Sequence, residues 1–215
     1  LMVFLQPWTA GLFLLAVVTC LVRMVGVTAG YHRYFSHRSY KLGRPAQFVM
    51  AFLAQTSAQK GVLWWSAHHR SHHKKTESPE DPHSPVQRGF WWAHIGWIVS
   101  GQHDEYDPRL VSDFSKYPEL RWLDRHHWVP TSMLALSIFA LGGWPAFFWG
   151  YIVSTVVLYH CTFSINSLAH LWGSRRFKTN DDSRNNAILA LFSMGEGGHN
   201  NHHRYPHLCR QGLKW

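Results

Sequence analysis

Forty consecutive residues, Met133 to Trp172, contain no Asp, Glu, Lys or Arg. An uncharged run of that length is about twice what a helix needs to cross a bilayer. Gly142-Gly143-Trp144-Pro145 supplies a break that would divide it into two spans, with a short first arm. A second apolar run, Trp8 to Gly30, is about one bilayer thick as a helix, and Arg23 is its only charge. Arg23 lies roughly two turns from the polar end, within reach of the interface if it snorkels. Spans are therefore expected at about residues 8–30, 130–148 and 150–171.

The remainder is blocky and polar. Residues 31–129 and 172–215 carry most of the charge, the histidines and the prolines, whereas Pro45 to Ala58 is a moderately apolar stretch suited to lying on a membrane surface. Parity places both polar regions on one side: one span in, two spans out and back. Arg38, Lys41, Arg44, Lys74, Lys75, Arg175, Arg176 and Lys178 all fall in them, which makes that side cytoplasmic by the positive-inside rule. The expected fold is an all-α integral membrane protein, a single domain over 1–215, with transmembrane helices under a cytoplasmic, histidine-rich helical cap. In this scheme Leu1 starts outside, so the chain reads as a truncated piece preceded by a further span. The three cysteines form no CxxC pair, which suggests neither a disulfide framework nor a thiolate zinc site. No cleavable signal peptide is evident. The net charge of +9 is accounted for by this inner face, so nucleic acid is not an expected partner.

Eight of the seventeen histidines are concentrated in three short motifs. In HRSHH, His69, His72 and His73 stand at i, i+3 and i+4 and would share one helical face; His199, His202 and His203 repeat the pattern in HNNHH. In HRYFSH, His32 and His37 are five apart, roughly 140° around an α-helix, so they suit one metal only if it sits between them or the helix loosens. Asn166 and His170 form a polar pair at the inner end of the last span, where polar groups are costly unless functional. Nine such imidazoles exceed what a single tetrahedral zinc uses, and two metals is the natural count. Neutral imidazole suits iron, copper, zinc or nickel alike.

HRYFSH, HRSHH, NSLAH and HNNHH, with GYHR before the first and DPHS after the second, closely resemble the membrane fatty acid desaturases, the family of stearoyl-CoA desaturase and its bacterial relatives. The resemblance runs from about Val25 through Gly212. It implies two iron ions in a di-iron centre that activates O2 and removes two hydrogens from an acyl chain, usually at the Δ9 position. The ligands it implies are His32, His37, His69, His72, His73, His170, His199, His202 and His203, with Asn166 holding a water at one iron. Ligating histidines need an acceptor on their other nitrogen, and Glu196 and Asp81 are the candidates. Gln59, Thr162, Phe163 and Cys20 are expected to line the acyl tunnel, and Cys20→Trp to shorten the chains accepted.

The remaining eight histidines, His68, His83, His94, His103, His126, His127, His160 and His207, read mostly as surface, interfacial or supporting residues, with His68 able to exchange roles with its neighbour His69. Tryptophans such as Trp64, Trp65, Trp91, Trp92, Trp97 and Trp128 read as interfacial anchors.

The chain departs from the family at three places. Ala67 and His68 stand where the animal enzymes carry an Arg-Asp pair that contacts CoA, Phe163 replaces a tryptophan that meets the acyl carbonyl, and Gly198 replaces a common aromatic. The substrate therefore stays open between fatty acyl-CoA and acyl-lipid, and Lys60, Lys74 or Lys75 could bind phosphate of either. With no haem or iron–sulfur motif in the chain, electrons would come from an external cytochrome b5-like or ferredoxin-like donor docked on the basic face. A fatty acyl hydroxylase on the same irons is the nearest alternative. A non-enzymatic membrane metal-binding protein is a further one, disfavoured because transporters place their sites near the bilayer midplane.

Overall fold

The computed structural model describes residues 5–212. Among them the regular secondary structure is all helical, the only β contacts being isolated bridges at Ser174–Asn185 and Asn185–Gly198. Helix α1, Ala10–Ser36, and the run Trp128–His170 are each long and apolar enough to cross a membrane. Their outward faces leave Phe13, Leu14, Leu136 and Leu141 exposed, apolar surface of a kind that water would not tolerate in a contiguous patch.

Thr9 caps α1, its hydroxyl oxygen accepting from the Leu12 amide at 3.2 Å. The helix is α-helical to Val25 and then winds more widely, as a π-helix, over Gly26–Ser36. At Gly26 a Cβ would stand 2.8 Å from the Ala54 Cα, so only glycine lets α1 cross α2, Arg44–Gln55, backbone to backbone. On α2, Gln47, Ala51, Ala54 and Gln55 are buried and Val49 faces outward. Gln55 ties α2 to its neighbours: its oxygen accepts from the Val62 amide at the start of α3, Val62–Lys75, and its amide donates to the Leu123 carbonyl on α4, Pro118–Arg125.

The long apolar run is not one helix. Within α5, Trp128–Ala146, Gly143 takes φ 62° and ψ −159°, a left-handed φ that glycine adopts at no steric cost. Thr131 and Tyr151 then share a hydroxyl hydrogen bond of 2.6 Å, although twenty residues of straight helix would hold them about 30 Å apart. The chain therefore reverses at Gly143 and returns through a π-helical turn, Phe147–Val153, into α6, Ser154–Asn166.

Arg23 does not snorkel. It is 1% exposed, and its guanidinium donates to the Thr19 and Thr56 carbonyls and to the Ser154 and Thr155 hydroxyls at 2.6–3.4 Å, beneath the Tyr151 ring. Enough acceptors converge from α1, the α2 terminus and α6 to hold the charge inside rather than at the interface.

Candidate metal centre

Eight of the nine expected ligands gather where two long helices meet a short third, and the ninth rides a single turn beyond α6. His32 and His37 end α1; His69, His72 and His73 lie on α3; His170 ends a 3-10 turn, Leu168–His170, after α6; His199, His202 and His203 lie on α8, His199–Arg204, which follows α7, Ala187–Phe192.

The five-residue gap in HRYFSH is resolved by the π-helix. Its hydrogen bonds run i to i+5, as the His37 amide to the His32 carbonyl shows at 3.2 Å, and this stacks residues five apart on one face where an α-helix would separate them. In HRSHH the reverse happens: His69 and His73 turn to one cluster and the intervening His72 to another. The nitrogens sort into His32, His37, His69, His73 and His202 in one group and His72, His170, His199 and His203 in a second, each within 4.8 Å of one another. Inside the first, facing Nε2 atoms approach to 3.0 Å for His32–His202, 2.7 Å for His37–His69 and 2.9 Å for His73–His202. In the second, His170 and His199 approach to 3.0 Å.

The donor set fits cations. His72 Nδ1 donates to Asp81 (3.0 Å), His170 Nδ1 to Glu77 (3.1 Å) and His203 Nδ1 to Asp181 (2.9 Å). His32 Nδ1 does the same to Glu196 at 2.5 Å. A neutral ring whose Nδ1 proton is committed in this way has only a lone pair at Nε2, so three lone pairs converge in the second group, and the buried His203 Nε2 has no hydrogen-bond partner on the protein. Burial, with repulsion from neighbouring rings, pushes the basicity of His69, His73, His199, His202 and His203 well below the ordinary value and His37 down to about 2. Rings that stay neutral are ready to ligate. Burial alone would raise the Glu196 carboxyl, but His32, Arg33 and Gln211 outweigh it and hold it below its usual range.

Glu196 and Asp81 thus accept from two clustered histidines, His32 and His72, and Glu77 and Asp181 are carboxylates that sequence reasoning missed. The Asp181–His203 and Glu77–His170 pairs are separated by 22 and 93 residues, so no local spacing signals them. His68 joins neither cluster; its Nδ1 donates to the Trp64 carbonyl at 3.0 Å.

A cavity opens beside the rings of His32, His69, His72 and His199 and runs along Val27 and Met24 of α1 and Asn166, Ile165 and Thr162 of α6. Gln59 reaches this wall indirectly, donating to Thr162 and accepting from Trp65 Nε1, and Trp65 is stacked on His69 with centroids 5.1 Å apart. Trp65 is thus a cavity residue, and Trp64 and Trp97 stack on each other in the buried cap; Trp91 and Trp128 remain exposed. Phe163 is buried against Tyr159 and His94 and is not among the cavity-lining residues, and neither is the half-buried Cys20. At Gly198, a Cβ would come within 3.2 Å of the Gln211 carbonyl, so the close approach of the Gln211 segment fills the space a larger residue would need.

The fatty acid desaturase family model matches residues 7–214. The sn-2 palmitoyl-lipid 9-desaturase of Nostoc sp. is 37% identical over 98% of this chain and 76% of its own length. The sn-1 stearoyl-lipid 9-desaturase of Synechocystis sp. is 38% identical over 94% of this chain and 63% of its own. An acyl-CoA C20 Delta5-desaturase of Anemone leveillei is 35% identical over 88% of this chain and 62% of its own. The chain thus spans three quarters of the first relative and just under two thirds of the other two. On these matches and on the histidine clusters they explain, the chain belongs to the fatty acid desaturase family.

Proposed function

We propose that this chain desaturates a fatty acyl chain, at Δ9, with two irons held by the five-histidine and four-histidine clusters and Asn166 presenting a water to the second. The observation that carries the reading is the junction of the two clusters with the apolar cavity of Met24, Val27, Thr162 and Ile165. Bound there, the irons would supply the activation of O2 needed to break an unactivated C–H bond.

The protein's own share is positional. The cavity walls hold an extended apolar tail against the cluster and exclude water, and the Gln59–Thr162–Trp65 hydrogen bonds fix the wall beside His69. Glu196, Asp81, Glu77 and Asp181 fix four of the nine rings, those of His32, His72, His170 and His203, by their Nδ1 protons. The histidine boxes face the cytoplasm, where an external cytochrome b5-like or ferredoxin-like protein delivers electrons to the basic surface that includes the exposed Lys41, Lys74 and Lys75; this side is supported by the positive-inside bias.

A membrane lipid is the better-supported acyl carrier. Around Ala67 and His68 the surface pocket is lined by Glu80, Glu105 and Asp107, which would repel the phosphates of CoA, and Lys60 is already paired with Asp104. Two of the three relatives above are named as lipid desaturases and one as an acyl-CoA desaturase.

Expressed in a host, the chain should yield purified protein with two irons and membrane lipids with new Δ9 double bonds, and His199→Ala should abolish both the second iron and the products. A folded chain without iron overturns the reading. Alcohols in place of alkenes would assign hydroxylation instead, and desaturation of free acyl-CoA in preference to lipid would overturn the carrier.

A further inference from the structure

We infer that His94, which lies outside both clusters, is a positioning residue for the four-histidine site. The inference rests on the metal-centre reading above and concerns how the ninth ligand, His170, is delivered.

Asn166 and His170 are four apart, and continued α-helix would set them on one face. The chain instead leaves the helix at Ser167, φ −106° and ψ −71°, and tightens into the 3-10 turn Leu168–His170. That change lets Asn166 line the cavity while His170 joins His72, His199 and His203. Ser167 is the pivot, and it is fully buried.

Three hydrogen bonds hold the pivot. Ser167 Oγ lies 3.0 Å from the Phe163 carbonyl, which can only accept, so the hydroxyl proton points there. His94 Nδ1, 2.9 Å from Ser167 Oγ, must then carry a proton and donate it. His94 Nε2 is left as an acceptor and takes the Nδ1 proton of His160 at 3.0 Å. With His94 neutral, no other assignment makes all three contacts hydrogen bonds: a serine proton turned toward His94 would leave two oxygen lone pairs facing at Phe163. The chain His160→His94→Ser167→Phe163 carbonyl therefore runs in one direction and ends at the residue before the 3-10 turn. His94 itself is 7% exposed, wedged between the Phe90 and Phe163 rings, on a short helix, Trp92–Gly96.

What Ser167 requires is one N–H at the position of His94 Nδ1. Asparagine can place an amide N–H there and alanine cannot, so the pair separates donation from bulk. In the full-length chain purified with iron, His94→Ala should drop the content from two irons to about one per chain, with the five-histidine site still loaded, whereas His94→Asn should keep both. Ser167→Ala should lose the same single iron, which keeps the test open if His94→Ala does not fold. Two irons retained in folded His94→Ala or in Ser167→Ala overturns the inference, as does equal loss in His94→Ala and His94→Asn. Parent protein that binds no iron would instead overturn the metal-centre reading and this inference with it.

Discussion

Arg23 and His32 lie nine residues apart on α1, both almost fully buried at 1% and 5% exposure, and their surroundings meet burial in opposite ways. Around Arg23 every nitrogen of the guanidinium has an acceptor: two carbonyls and two hydroxyls. The hydroxyls spend their own protons on the Gly150 and Tyr151 carbonyls, so their lone pairs are free to face the cation. Around His32 the pattern inverts. Glu196 takes the His32 Nδ1 proton, which leaves a lone pair at His32 Nε2, and that atom faces His202 Nε2 at 3.0 Å among the rings of His37, His69 and His73. Both regions are polar and buried, but only the second gathers imidazole nitrogens around a point where no protein cation stands. A buried polar cluster that satisfies itself is structure, and one that converges acceptors on a point is a binding site.

The comparison breaks most sharply at the hydroxyls. Ser154→Ala with Thr155→Val removes two of the four acceptors while leaving the charge in place, and stranding a buried ion in this way costs on the order of 3–5 kcal/mol. The apparent thermal midpoint in detergent should fall by about 10 °C, taking a few degrees per kcal/mol for a chain of this size. A midpoint that hardly moves would show that water reaches Arg23 and that the two regions differ less than their hydrogen bonds suggest.

On the other side of the comparison, the carboxylates should matter to the metal and little to the fold. Asp181→Asn weakens the acceptor for His203 Nδ1, and loss of such a partner typically lowers metal affinity about 10- to 100-fold. Iron titration of the four-histidine site should show that loss, with Glu77→Gln behaving likewise through His170 and the five-histidine site unaffected in both. Equal loss at both sites would mean that the two clusters load as one unit.

Most of this centre is legible in the motifs alone. HRSHH and HNNHH supply clustered histidines at helical spacing, and the uncharged run supplies the helices that bring them together. Three things are hidden for physical reasons. HRYFSH shares a face only because α1 changes to a π-helix at Gly26, a change in winding that residue types do not announce. The split of the α3 histidines between two clusters depends on what α1 and α8 present, which is tertiary. Glu77 and Asp181 act across loops, and Glu77 also accepts the Asp182 amide, so it joins the two loops as well as orienting His170. Arg23 misleads for a related reason: its position on α1 permits snorkelling, and the acceptors that hold it inward come from residues 56, 154 and 155.

The smallest effect expected is the most discriminating. Arg23→Met removes the charge and keeps most of the bulk. The Ser154 and Thr155 hydroxyls remain bonded to their own helix carbonyls, so little is left unsatisfied, and replacing a buried ion by an apolar side chain of similar size is often close to neutral. The midpoint should therefore shift by no more than about 1 kcal/mol equivalent, far less than in the Ser154→Ala/Thr155→Val protein that keeps the arginine. Combining all three substitutions should recover most of the stability lost in the double variant, because the stranded cation is gone. If Arg23→Met is instead the more damaging change, the guanidinium is an active clamp joining α1, α2 and α6, and the region around it must be read as a designed joint of the fold rather than a charge that the fold accommodates.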